Sequence, residues 1–146
     1  MAQLILMPGK ERSAFKHRHP RLFAGSVGRL EGRARPGDTV EVVSTHGKFL
    51  ARAAWSPTSQ IRARVWSFDP DETIDHAFFK RRIAAAVARR TSLPRLAGQD
   101  GVRLIHGEAD GLPGLIVDRY DDILSAQFLS AGAERWKAVI AEALLA

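Results

Sequence analysis

The stretch TVEVVSTHGKFLARAAWSPTSQIRARVW, residues 39–66, decides the fold. Thr39 to Ser44 and Lys48 to Trp55 predict two strands folded back around Thr45-His46-Gly47, a hairpin. Ile61-Arg62-Ala63-Arg64-Val65-Trp66 then alternates strictly, which sets Ile61, Ala63 and Val65 on one face and both arginines on the other. Immediately upstream, Arg35-Pro36-Gly37-Asp38 has the residues of a tight turn, because proline presets φ and glycine accepts a positive one. Earlier still, residues 3–7 read as a short strand closed by Pro8-Gly9. Glu11 to His19 reads as a short helix that Pro20 stops, and Leu22 to Leu30, broken by Gly25 and Gly28, as an irregular or bulged strand. Short strands at this spacing predict a small β-barrel ending near Phe68.

The pattern then changes to helix. Asp69-Pro70-Asp71-Glu72 has the composition of a helix start, with an acidic N-cap, proline in the first turn and Glu at N3. The predicted helix runs from about residue 71 to 91 and buries Ile74, Phe78 or Phe79, Ile83 and Val87. Strand-like runs follow at 102–106, 115–117 and 123–129, then a helix from near Ala131 with Trp136, Val139, Ile140 and Leu144 on one face. No stop signal precedes Ala146, so the second domain is expected to be incomplete. The expected class is α+β: a barrel domain over residues 1–69, then over 70–146 a linker helix and a partial strand-strand-helix domain.

Composition narrows the function. The chain has 146 residues and no cysteine, which excludes disulfides, cysteine-based zinc sites and thiol nucleophiles. No apolar run approaches the ~18 residues of a membrane span. Leu4-Ile5-Leu6-Met7 is too short for a signal-peptide core, so the expected location is cytoplasmic, without a membrane partner. The charge is uneven: residues 1–65 hold 12 basic and 4 acidic side chains, residues 66–146 hold 10 and 12. A strongly basic end usually meets a polyanion, since neutralising phosphates releases condensed counterions.

The candidate contact residues follow from that charge. Lys16-His17-Arg18-His19-Pro20-Arg21-Leu22-Phe23 gathers cations and imidazoles around one aromatic. Lys16, Arg18, His19 and Arg21 are candidates for phosphate contacts and Phe23 for stacking a base, although a solvated basic turn has the same composition. Arg52, Arg62 and Arg64 are expected on the outer face of the barrel, while Trp55 and Trp66 read as core. His17-x-His19 lacks a third ligand, so no metal is expected. Gly107-Glu108-Ala109-Asp110-Gly111-Leu112-Pro113-Gly114 matches neither a dinucleotide fingerprint nor a calcium loop and reads as a tight strand-to-strand connection. Spacing alone assembles no acid–base pair from Glu108, Asp110 and Asp118, and no catalytic residue is assigned.

The run Lys16-His17-Arg18-His19-Pro20-x-x-Phe23-x-Gly25, the Pro36-Gly37-Asp38 turn and the segment from Gly107 through Val117-Asp118-Arg119-Tyr120 closely resemble one family. It is the bacterial S-adenosylmethionine-dependent methyltransferases that modify carbon-5 of cytosine in large-subunit ribosomal RNA. The resemblance covers essentially the whole chain. It implies an N-terminal PUA domain, a small RNA-binding pseudo-barrel, and the start of a central domain of strands around helices. Arg21 stands where the family usually has Trp. The resemblance stops inside the central domain, so the Rossmann-type methyltransferase domain is absent from these residues. Cytosine methylation at carbon-5 needs a cysteine thiolate and a glycine-rich cofactor loop, and this chain has neither. The resemblance therefore implies an RNA-holding region with no cofactor of its own, S-adenosylmethionine serving the full-length parent. Ribosomal RNA is the expected partner; the rival is an interaction module whose strand-and-helix half serves as a dimerisation or domain-docking surface, with the basic charge incidental.

Overall fold

A rolled six-stranded sheet forms the first half of the molecule. A computed structural model describes residues 1–10, 20–91, 101–120 and 122–145. Within them the chain divides into two compact units, Met1–Ile74 and Asp75–Ala146. The first holds β1 (Gln3–Leu6), β2 (Arg21–Phe23), β3 (Val27–Glu31), β4 (Thr39–Val43), β5 (Phe49–Trp55) and β6 (Ile61–Ser67). The hairpin predicted from residues 39–55 is β4–β5, and the alternating arginine segment is β6. The irregular or bulged strand expected at 22–30 is two strands joined by a 3-10 turn at Ala24–Ser26.

The strand order is β2-β6-β5-β4-β1-β3, with β1 and β4 parallel and every other pair antiparallel. β2 and β3 are thus opposite edges of the sheet, yet only residues 24–26 separate them. A flat sheet of this width would hold its outer strands about 24 Å apart. The short connection spans at most about 14 Å. The sheet must therefore curl, and the result is a half-barrel. Its inner face is lined by Leu4, Leu6, Leu22, Val40, Val42, Ala51, Ala53, Trp55, Ala63 and Val65, all buried. They alternate with outward residues along each strand, as the pleat requires. Each fully buried Leu or Val there contributes about 1.5–3 kcal/mol.

The second unit contains α1 (His76–Thr91), β7 (Gly101–His106), a 3-10 turn (Gly107–Asp110), β8 (Leu115–Tyr120), β9 (Ile123–Phe128), α2 (Ala131–Arg135) and α3 (Lys137–Leu144). β7, β8 and β9 form an antiparallel sheet in that order, and α1 packs on β7 and α3. Phe78 and Phe79 are fully buried and meet edge-on at 5.0 Å. Trp136 lies 4.9 Å from the Phe79 ring.

Two helix expectations need correction. The helix predicted from residue 71 begins at His76, because residues 69–72 are occupied otherwise. The Asp69 carboxylate accepts from the Asp71 N–H, the Ser67 hydroxyl donates to Glu72, and three carbonyls of the segment accept from Arg52. Asp75 caps the helix instead, accepting from the Phe78 N–H at 2.9 Å. The single helix expected from Ala131 is two, parted at Trp136, whose backbone (φ −96°, ψ 12°) leaves the helical region.

Candidate nucleic-acid interface

The candidates Lys16, Arg18 and His19, together with the short helix expected over Glu11 to His19, lie outside the described residues. In sequence they run directly into Pro20 and β2. That entry is fixed, since the Pro20 carbonyl accepts the Val65 N–H of β6 at 2.7 Å. β2 then pairs with β6 so that Arg21 stands opposite Arg64 and Leu22 opposite Ala63. Leu22 and Ala63 face the core, so Arg21 and Arg64 share the outer face as neighbours. Phe23, one step further, is 49% exposed, unusual for a phenylalanine in a strand. Its strand ends against the β5–β6 turn, where the Ala24 N–H donates to Gln60 O. Arg62 also lies on the outer face and donates from Nε to Ser59 O at 3.1 Å, steadying that turn.

Arg52 occupies the same face but has an internal task. Its Nη1 donates to the carbonyls of Asp69 (3.3 Å), Pro70 (3.0 Å) and Glu72 (2.7 Å). Its other nitrogen lies 3.6 Å from Glu41, and its guanidinium sits 5.0 Å over the Phe49 ring. The chain leaving the barrel is thereby bound down on β5. Trp55 and Trp66 are both buried, Trp55 among the barrel-core residues.

One cation near this site escapes a reading of composition. The Arg35–Asp38 turn is tied to the end of β5, with the Gly37 N–H donating to Trp55 O at 2.7 Å and the Trp55 N–H to Asp38 O at 2.9 Å. Exposed Arg35 therefore stands at the barrel end that carries the β5–β6 turn and Phe23. The turn was legible in the sequence; its docking on Trp55 needed the register of β4 on β5.

The glycine-rich segment of the second unit is a braced connection. Asp110 is buried and receives Arg89 Nη2 at 2.8 Å, Arg90 Nη2 at 3.1 Å and the His106 N–H at 2.7 Å. Burial alone opposes ionisation of this carboxyl. The hydrogen bonds from Arg89 and His106 and the charges of Arg90 and Arg89 outweigh it, and hold it below the usual carboxylate range. Arg82 Nη1 donates to Gly111 O at 2.8 Å, and the Ser130 hydroxyl to Pro113 O at 3.2 Å. Gly111 (φ +69°) and Gly114 (φ +80°) are left-handed, and a Cβ would meet the Arg82 guanidinium at the first and the Ser130 side chain at the second. Asp118 pairs with Arg103, its cross-strand partner, at 2.8 Å. Of the carboxylates that sequence spacing left without an assignment, Asp118 thus holds one arginine and Asp110 two. No cluster of three His, Cys, Asp or Glu side chains suited to a metal occurs among the described residues. No helix among them is long and apolar enough to cross a membrane.

Comparison with known proteins accords with this geometry. Residues 4–68 match the model of the PUA-like domain family, so the barrel carries that fold. Over 144 residues the chain is 53% identical to "Ribosomal RNA large subunit methyltransferase I" of Cronobacter sakazakii, covering 99% of this chain and 36% of that protein. The protein of the same name from Erwinia tasmaniensis is 54% identical over 142 residues, 97% of this chain and 36% of its own. The chain corresponds to the N-terminal region of these proteins. It spans only about a third of the length of the curated relatives it matches. Two solved structures share the fold at 15% identity. One is a Streptococcus mutans protein assigned as a SAM-dependent methyltransferase, with a TM-score of 0.78 over 99% of this chain and 37% of its own. The other was solved with SAH and has a TM-score of 0.81 over the same shares. The PUA-like unit and the strand-and-helix unit after it therefore share their folds with these two structures.

Proposed function

We propose that this chain is the RNA-holding region of a ribosomal RNA cytosine-5 methyltransferase. It grips structured ribosomal RNA by backbone and shape and positions it, in the cytoplasm, for a catalytic domain on the rest of the longer protein. S-adenosylmethionine would serve that domain.

The carrying observation is the pairing of Arg21 with Arg64 on β2 and β6, beside exposed Phe23. A phosphate placed between the two guanidinium groups meets two planar forks suited to its oxygens. Phe23 offers a stacking face beside them for an unpaired base. Lys16, Arg18 and His19 precede this edge in sequence and extend the contact set, with Arg62 and Arg35 at the barrel end. Arg52 adds charge to the face while its hydrogen bonds remain internal. The domains of the proposal are the PUA-like RNA-binding part over residues 1–69 and the linker helix with the incomplete central domain over 70–146.

Fluorescence anisotropy with a structured ribosomal RNA fragment at several salt concentrations tests it. If about four phosphates are neutralised, log affinity falls against log salt with a slope near −3 to −4. Arg21→Ala and Arg64→Ala should each flatten that slope by about one unit. Absence of binding at low salt, or binding indifferent to Arg18→Ala with Arg21→Ala, defeats the assignment.

A second reading has its own observation. β9 is exposed on both faces along most of its length, with Ile123 64% and the following Leu129 60% accessible. Apolar surface of that kind serves self-association, which can coexist with RNA binding.

A further inference from the structure

We infer that the corner at Ala24–Ser26 is a recess for one unpaired RNA base, with Met7 and Phe23 as its walls and Gly25 as its floor. The inference rests on the RNA-holding reading above and adds the place that admits a base. The corner is the seam of the rolled sheet, since the outer strand β2 ends at Phe23 and the other outer strand, β3, begins at Val27. Three segments are tied together there. The Met7 N–H donates to Ser26 O at 2.9 Å, and the Ala24 N–H to Gln60 O at 2.9 Å. The Lys10 N–H donates to Met7 O at 3.0 Å, which turns the chain back after β1.

Gly25 carries the argument. Glycine loses more conformational freedom on folding than any other residue, so its use at a fixed position calls for a reason. Neither backbone nor packing supplies one here. Gly25 lies in a 3-10 turn outside the left-handed region, and a Cβ on it would meet nothing within 4 Å. The fold therefore has room for a side chain that the sequence omits. The omission leaves bare backbone between two exposed apolar side chains, Met7 at 44% and Phe23 at 49%. Apart from the terminal Met1, these are the exposed large apolar residues of this unit among those described. A 3-10 turn rises about 2 Å per residue, so about 6 Å parts Phe23 from Ser26, to which Met7 is bonded. Two surfaces touching opposite faces of a base stand about 7–8 Å apart, the same scale.

Charge selects a nucleotide as the occupant. Arg21 precedes Phe23 by two residues and has Arg64 opposite it, while exposed Lys10 follows Met7 by three. An apolar recess flanked by cations suits a base joined to phosphates. An apolar protein segment would gain nothing from those charges. Bases inside a duplex are stacked already and offer no face, so the occupant comes from a loop, a bulge or an end. The recess adjoins the Arg21–Arg64 pair, and whatever leaves that pair open to RNA leaves the recess open too.

Fluorescence anisotropy of the 146-residue chain with two blunt RNA duplexes, identical except for one bulged nucleotide, tests this. The wild type should bind the bulged duplex about ten-fold tighter, the scale of one stacked base. Gly25→Leu fills the floor and should bring the two affinities within about two-fold of each other without lowering the melting temperature. Met7→Ala with Phe23→Ala removes the walls and should do the same, and it decides alone if Gly25→Leu fails to fold. Arg64→Ala should weaken both duplexes alike and keep their ratio. Equal wild-type affinity for the two duplexes overturns the recess and leaves the RNA-holding reading standing. A preference kept in full by either folded variant overturns the recess as well. No binding at low salt, to these duplexes or to the structured ribosomal RNA fragment, overturns that reading and the recess with it.

Discussion

Asp110 is a small acidic residue among glycines, and its carboxylate joins α1, the end of β7 and the loop into β8. Replacing it with Asn removes the ionic partner of Arg89 and Arg90 and weakens the acceptor of the His106 N–H. The expected loss is about 1–3 kcal/mol at pH 7 in urea unfolding. Because the folded carboxyl is held below its unfolded value of about 3.9, its contribution is complete above about pH 4. It fades as pH falls through the lowered value. The stability gap between wild type and Asp110→Asn should therefore narrow from pH 6 toward pH 2, and a gap that widens would contradict the ion-pair reading. Arg52 has a comparable place in the first unit, with three carbonyls on one nitrogen. Arg52→Ala should destabilise the barrel by about 1.5–3 kcal/mol in the same assay. Arg52→Lys should recover only part, since an ammonium cannot also reach Glu41 with a second planar nitrogen.

At the scale of elements, glycines show how local geometry and neighbours combine. Gly47 and Gly114 both have φ near +80°, but a Cβ at Gly47 meets open space while one at Gly114 meets Ser130. Gly47→Ala should cost only the backbone term, about 1 kcal/mol. Gly114→Ala should cost more, because it also displaces the hydroxyl that caps α2 at the Ala133 N–H. Thermal unfolding of the two variants gives the comparison directly. The strands were legible because alternation and turn residues are local: Ile61 to Trp66 could hardly be read otherwise. The start of α1 was not. Asp69-Pro70-Asp71-Glu72 satisfies every local rule for a helix N-terminus, but Arg52 reaches those carbonyls from β5, and that contact is invisible along the chain. The break at Trp136 has the same character, since the indole packs on Phe79 of a different helix. The contact face was legible only by residue type; that Arg21 and Arg64 stand opposite each other depends on the register of β2 on β6.

For the whole molecule, the division into units refines the charge argument. Asp69, Asp71 and Glu72 belong with the barrel, so Met1–Ile74 holds 12 basic and 7 acidic side chains and the remainder 10 and 9. Many of the arginines in the second unit are engaged, as Arg82, Arg89, Arg90 and Arg103 show. Neutralising exposed Arg81 or Lys137 should therefore leave the salt slope of RNA binding unchanged within about half a unit, whereas Arg64→Ala should flatten it by about one. Equal effects in both units would place the RNA elsewhere.

The strand order of the barrel also governs when the RNA-facing edge comes into being. β2 is among the first strands made, yet among the described residues its only sheet partner is β6, the last strand of the unit. On the ribosome, the edge of Arg21 and Phe23 is completed only when Arg64 has left the exit tunnel, because β2 pairs with β6. Pairings so distant in sequence also close slowly. A nascent chain halted before β6 would carry most of the basic residues with no surface on which to arrange them, and the capacity to grip RNA would arrive late and in one step.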